Sequence, residues 1–318
     1  MAIYAVQRVG YVFAVLMIVS ALVFLATHAL PSNTAEVILG QYATPETVAA
    51  LERKLGLTRP LLQQYWDWAS GVLRGDLGQS LVMEVPVAPV LWAALGRSAV
   101  LATAAMIVVS SLGIALGVLA SVRRGRLLDH MSSAFTFIGL SVPEFFWGLL
   151  LILLLGSYLQ WLPTSGYGTP GEGVGSYISH LVLPVMALTI GLLAHVSRMT
   201  RSSMIEALDS TYVKAARARG LPEWKVILRH ALRNAMLPTI TVLAQDVGFL
   251  IGGIVAVETI FAYPGIGRLL VYALERHDLP LMQAAILVMT AVQCLANLAA
   301  DLLYGFFNPR IRYGRSVA

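Results

Sequence analysis

The chain has 318 residues, of which 58% are apolar and 12% charged, with a formal net charge of +5. A soluble domain carries about twice that charged fraction, and the mean hydropathy of +0.75 also argues against an ordinary soluble protein. The single cysteine, Cys294, excludes an intramolecular disulfide framework.

The apolar residues gather into runs. The first is Val9–Leu30. It is too long for a usual signal-peptide core, and Thr27-His28-Ala29 is a poor small-x-small cleavage site, so we read it as a retained first spanning helix. A long loop follows, about Pro31–Arg97, that looks structured. Thr44-Pro45-Glu46 supplies an N-cap, a proline at N1 and an acid in the first turn, which predicts a helix to about Leu55 that stops at Gly56. A second helix fits Pro60–Leu73, and Gly75-Asp76-Leu77-Gly78 is a turn. Trp and Tyr on this small helical subdomain suit the membrane's outer face.

Further apolar runs are Ala99–Val122, Phe135–Leu159, Leu181–Val196, Met236–Val257 and Leu281–Ala300, the last continuing to Phe307. Each reaches, or nearly reaches, the roughly 17–25 residues that cross a bilayer as helix. The runs are continuous and not alternating, which excludes a barrel. We expect an all-α polytopic protein with six transmembrane helices. Gly113/Gly117 and Gly248/Gly252 let backbones approach, within the chain or at a subunit interface. The Gly-rich segment Gly166–Gly175 lacks a lysine and a preceding strand, so it reads as a flexible loop.

The positive charge is a topology signal and not a nucleic-acid footprint. Arg123, Arg124 and Arg126 follow the second run, eight bases from Arg198 to Arg233 follow the fourth, and Arg310, Arg312 and Arg315 follow the last. Gly156–Ser179 has no Lys or Arg. The positive-inside bias therefore puts both termini in the cytoplasm.

The most informative stretch is the basic island Tyr212–Pro238. Asp209, Ser210 and Thr211 are N-cap candidates for a short helix, Tyr212–Arg219, that Gly220 stops. Ala215 and Ala216 keep one flank slim, and Lys214, Arg217 and Arg219 surround it with charge. Leu221-Pro222-Glu223 opens a second helix. There Trp224, Ile227, Leu228, Ala231 and Leu232 follow apolar spacing, and Lys225, Arg229 and Arg233 form a basic stripe. Such a hairpin can rest on anionic headgroups or insert its small knob into a cleft on a partner. GxxxxGK[ST], HExxH and GxSxG are all absent, and no catalytic constellation is recognisable, so an enzyme is not expected.

Several motifs resemble the B-type permease subunit of the dipeptide, oligopeptide and nickel family of binding-protein-dependent ABC importers. Tyr212, Ala216, Arg217, Ala218, Arg219, Gly220 and Leu221, then Arg229, His230, Ala231, Leu232, Asn234, Ala235 and Pro238, follow its EAA loop, with Lys214-Ala215-Ala216 lacking the glutamate. Gly75-Asp76-Leu77-Gly78-x-Ser80, Ser141-Val142-Pro143-x-Phe145, Glu258-Thr259-Ile260-Phe261 with Pro264-Gly265-Ile266-Gly267, and Asn308-Pro309-Arg310-Ile311-Arg312 match other segments, with Asn308 where Asp is commoner.

The resemblance implies a type I importer permease of the inner membrane. The expected parts are a first helix (1–30), an external helical loop (31–97), a core (98–307) with a coupling loop (200–235), and a tail (308–318). It implies a second, related permease, two cytoplasmic ATPases that hold the ATP and Mg, an external solute-binding protein and surrounding lipid, with no cofactor on this chain. Tyr212, Lys214, Ala215, Ala216, Arg217, Arg219 and Gly220 would couple to an ATPase. Short peptides lead as solute, with nickel chelates, opines or oligosaccharides as alternatives; a non-transporting scaffold or receptor and an ion-coupled carrier are rivals.

Intramembrane carboxylates are candidates for the pathway, because charge in the bilayer is costly. Asp246 leads, either facing the cavity or pairing with a partner permease. Glu258 and Glu144 are gate candidates, and Asp301 is expected to pair with Arg310 or Arg312. His195 and His230 read as packing or headgroup contacts and not as metal ligands.

Overall fold

The computed structural model describes residues 2–29, 39, 42–55, 58–168, 171 and 173–307. Among these no strand occurs; the chain is helical, with one isolated bridge between Gln79 and Pro86. The helices are α1 (Ala2–Ala29), α2 (Pro45–Leu55), α3 (Leu61–Leu73), α4 (Val87–Val122), α5 (Leu127–Ser141), α6 (Glu144–Tyr158), α7 (Val174–Asp209), α8 (Thr211–Ala218), α9 (Glu223–Ile260), α10 (Ile266–Glu275) and α11 (Leu279–Phe307). Five are long and apolar enough to cross a membrane, and six if α5 with α6 counts as one bent span.

The expected caps of the first loop are present. Thr44 and Thr47 cap α2 reciprocally, with Thr47 N–H donating to Thr44 Oγ1 (3.3 Å) and Thr44 N–H to Thr47 Oγ1 (2.9 Å). Pro60 precedes α3, and Gly75 turns the chain with φ +84°. The expected stop at Gly56 and the tail 308–318 lie outside the described residues.

Three expected elements differ. The run Phe135–Leu159 is not one straight helix. It breaks at Val142-Pro143 and bends by 105° between α5 and α6. Val142 is extended (φ −110°, ψ 126°) because the proline ring clashes with a helical residue before it. The fourth run, expected as Leu181–Val196, lies inside a helix of 36 residues. Hydropathy ended it at Arg198 and Arg201, but those side chains are good helix formers, and the backbone continues. The second island helix and the fifth span are one helix, α9, joined through a π-helical turn at Val226–Ala231.

The chain divides into two compact units. One comprises Val6–Ser98 and Pro264–Cys294. Its core gathers Val87, Leu91 and Ala94 of α4 with Ile266, Ala273, Leu281 and Ala285. The buried Asp278 carboxylate clasps the loop after Gly78. It accepts the Ser80 hydroxyl and the N–H groups of Leu81 and Val82 (both 3.3 Å), and that of Leu281 (3.3 Å). Ser98 Oγ accepts the first α10 N–H, from Ile266, at 2.8 Å, and Gln283 donates to Thr27 at 2.7 Å.

The other unit comprises Met1–Ala5, Ala99–Tyr263 and Leu295–Ala318. There α7 is the central element, packed along α5, α6 and α9. Gly113 and Gly117 let α4 lie against α7. A Cβ at Gly117 would sit 2.7 Å from the Ser197 carbonyl, and one at Gly113 would sit 3.0 Å from Val196. This pair of glycines serves packing within the chain. Gly252, by contrast, meets nothing within 4 Å.

Candidate functional site

The island begins where α7 ends. Ser210 occupies the N-cap position of α8, but its hydroxyl bonds back to the Ala207 carbonyl and makes no cap. Val213 and Ala216 are fully buried and pack with Met204, Ala207, Val226, Ala231 and Ala235. Tyr212, Lys214, Ala215, Arg217 and Arg219 are exposed. The two alanines therefore have different duties. Ala216 belongs to the chain's own core, and Ala215 alone of the pair faces outward. This corrects the reading of both as one slim flank.

Gly220 closes the helix with φ +74°, its N–H on the Arg217 carbonyl at 2.9 Å. A side chain there would meet nothing within 4 Å, so the requirement for glycine is conformational and not steric. Arg217 folds over the turn onto Glu223, Nε to Oε1 at 2.9 Å and the guanidinium NH2 nitrogen to Oε1 at 2.7 Å.

The following segment also differs from expectation. Val226 and Ala231 are buried, while Trp224 and Leu228 are exposed. The π turn is the cause. Along α9 the buried positions Ala231, Ala235, Thr239, Val242, Asp246, Leu250, Ile254 and Val257 step by four or three residues. Val226 is five before Ala231, a step the wider turn brings onto the same face. Lys225, Arg229 and Arg233 are all exposed, and Lys225 Nζ sits 5.4 Å from the Trp224 ring. His230 is half-buried.

The intramembrane acids have separate settings. Asp246 is fully buried. Its Oδ1 lies 2.9 Å from His195 Nδ1 on α7, and Oδ2 has no hydrogen-bond partner among the described residues. His195 is 27% exposed at its side chain, so the pair has one closed and one partly open member. Glu258 is fully buried at the end of α9, where its carbonyl accepts the Tyr263 N–H at 2.8 Å. Glu144 is half-buried in the first turn of α6, its carboxylate 3.1 Å to 3.3 Å from where Gly253 would carry a Cβ. Asp301 is half-buried, and its expected arginine partners lie outside the described residues.

Sequence reasoning missed one polar staple. Asp129 of α5 receives Arg201 of α7 in a bidentate pair (2.5 Å and 2.9 Å) and accepts the Gly125 N–H at 2.9 Å. From the sequence Arg201 reads only as a loop base, and its spacing from the apolar run gives no sign of a partner 72 residues away. Among the described residues no group of three His, Cys, Asp or Glu converges on a metal-sized site.

The family model described as the inner membrane component of binding-protein-dependent transport systems matches residues 113–313. The model of the N-terminal part of such membrane components matches residues 1–109. The chain belongs to this family. The permease is therefore a multi-pass protein of the bacterial inner membrane. Its relatives include a probable peptide ABC transporter permease of Sinorhizobium fredii, 38% identical over 98% of this chain and 100% of the relative. The dipeptide transport system permease of Escherichia coli K12 is 37% identical over 98% of each chain. The glutathione transport system permease of the same strain is 38% identical over 98% of this permease and 99% of its own length. A solved amino acid ABC transporter structure covers 70% of the permease at 16% identity, with a TM-score of 0.48.

Proposed function

We propose that the permease forms half of the translocation pathway of an ATP-driven importer of short peptides. A second, related permease completes the pathway. Two separate ATPases bind and hydrolyse ATP, and an external binding protein delivers the solute. Relatives named for peptide, dipeptide and glutathione transport support the solute class over nickel chelates, opines or oligosaccharides.

Thr211–Ala218 acts as the coupling helix. The observation that carries this role is its two-sided construction. Val213 and Ala216 root it in the permease's own core, while Tyr212, Lys214, Ala215 and Arg219 stand outside. A partner that moves the outer face must also move α7 and α9, because packed elements shift as rigid bodies. Asp246 with His195, Glu144 and Glu258 are the pathway and gate candidates, with His195 the partly open member of its pair.

Gly220→Val tests the role. A β-branched residue at φ +74° costs roughly 1–2 kcal/mol or more and re-aims the helix end. The expected result is an assembled complex in which peptide uptake falls at least about fivefold, as that energy implies, and no longer tracks ATP hydrolysis. A cysteine at Ala215 is expected to crosslink to the ATPase, and one at the buried Ala216 is not. Normal uptake with normal substrate-stimulated hydrolysis in Gly220→Val would contradict coupling through α8.

A further inference from the structure

Helix α3 carries two apolar flanks, and only one is covered within its own unit. Tyr65 and Trp68 pack on α1. The Tyr65 hydroxyl is 2.9 Å from Ser20 Oγ, and the Phe24 ring lies 5.4 Å and 5.9 Å from the rings of Tyr65 and Trp68. Leu62, Trp66, Ala69 and Leu73 follow steps of four, three and four residues, one continuous stripe beside the packed one. Leu62, Trp66 and Leu73 are 69%, 57% and 85% exposed. The remaining sector is polar: Gln63, Ser70 and Asp67, the last paired with Arg59 at 3.1 Å.

The depth of the contact identifies what covers the second stripe. Ser20 and Phe24 lie inside the span Val6–Thr27. At the helical rise they sit about 10 Å and 4.5 Å inward from Thr27. The hydrocarbon of one leaflet is about 15 Å deep, so α3 touches α1 below the membrane boundary. On the opposite face of α1, Ile18, Leu22 and Leu25 are themselves exposed apolar residues of a spanning helix. We infer that α3 is an in-plane membrane helix: one flank on α1, the Leu62–Trp66–Leu73 stripe in the acyl chains of the leaflet at the Thr27 end, and the Gln63–Asp67–Ser70 flank toward water. An interfacial helix buries its apolar face about 5–10 Å deep, which matches the contact depth on α1. The occupant is phospholipid, and the stripe anchors the loop that α3 belongs to.

The test uses the complete transporter in phosphatidylcholine vesicles, with bromine either near the acyl carbonyls or near the chain ends. The emission lost on Trp66→Phe isolates Trp66. It is expected to fall at least about twofold with bromine near the carbonyls, less with bromine at the chain ends, and to resist aqueous iodide. A second measurement needs no aromatic. In a Cys294→Ser background, Leu73→Cys is expected to react with a charged maleimide at least about tenfold more slowly than Asp67→Cys in vesicles. Bare exposure predicts the opposite order, 85% for Leu73 against 59% for the Asp67 side chain. Iodide quenching of Trp66, or equal labelling of the two cysteines, overturns the assignment. Protection that appears only when a soluble binding protein is added also overturns it, in favour of a protein partner. Neither readout depends on transport, so this inference can fail without the importer reading, and the reverse.

Discussion

At the scale of single residues, the pairing of Asp246 with His195 carries a large energetic stake. A carboxylate fully removed from solvent holds its place through one imidazole contact of 2.9 Å. Removing the partner of a buried hydrogen-bonded group leaves that group unsatisfied, which costs about 1–3 kcal/mol, whereas replacing both partners by apolar groups can be nearly neutral. His195→Leu is therefore expected to unfold well before the parent in a detergent denaturation series. The double variant His195→Leu with Asp246→Leu should recover most of the loss. Equal losses in the single and double variants would show that the imidazole does not compensate the carboxylate. Half of this was legible in the sequence: an acid in the middle of an apolar run marks itself. The histidine did not, because a lone His in an apolar run has many uses and its partner lies 51 residues on.

At the scale of elements, hydropathy located the spans and misjudged their ends. It reads how a segment suits lipid, while the backbone stops only at capping geometry, proline or an unpaired group. Thus α7 runs on past Arg198 and Arg201, and the Phe135–Leu159 run breaks at Pro143 although the apolar run continues on both sides of it. The π turn in α9 was not legible either. Its trace in the sequence is a five-residue step between Val226 and Ala231 in an otherwise α-periodic stripe, a step visible only once the buried positions are known. The turn has a consequence for the island. Deleting the exposed Leu228 removes the extra residue and leaves Val226 four residues before Ala231, an ordinary α step that keeps it on the face it shares with Val213 and Ala216. Inserting an alanine there instead swings Val226 about 100° off that face, and exposing a valine of that kind costs roughly 1.5–3 kcal/mol. The deletion is expected to leave trypsin cleavage at Arg217 and Arg219 near the parent rate, and the insertion to speed it by about tenfold or more, since local opening sets that rate. Unchanged cleavage in the insertion variant would mean that α8 does not depend on the register of Val226.

At the scale of the whole molecule, the open question is whether α5 and α6 cross the membrane together. Each has 15 residues, Leu127–Ser141 and Glu144–Tyr158. Two legs of about 22 Å bent by 105° put their ends roughly 27 Å apart, close to the ~30 Å of hydrocarbon. Length alone therefore permits a crossing and does not require one. Charge decides it. The loop before the pair holds Arg123, Arg124 and Arg126, and the loop after it, Gly156–Ser179, has no Lys or Arg; α7 then leads to the basic island. If the pair re-entered on the same side, the arginine loop and the island would lie on opposite faces, against the positive-inside bias. If it crosses, both basic loops share one face and the base-free loop takes the other. The permease is thus expected to make six crossings. In a Cys294→Ser background, cysteines at Arg124 and Lys225 should react with an impermeant reagent only after the cells are opened. A cysteine at Ser165, exposed in the base-free loop, should react in intact cells. Protection of Ser165→Cys alongside Arg124→Cys would make the pair re-entrant and place the island on the outer face, where no cytoplasmic ATPase reaches it.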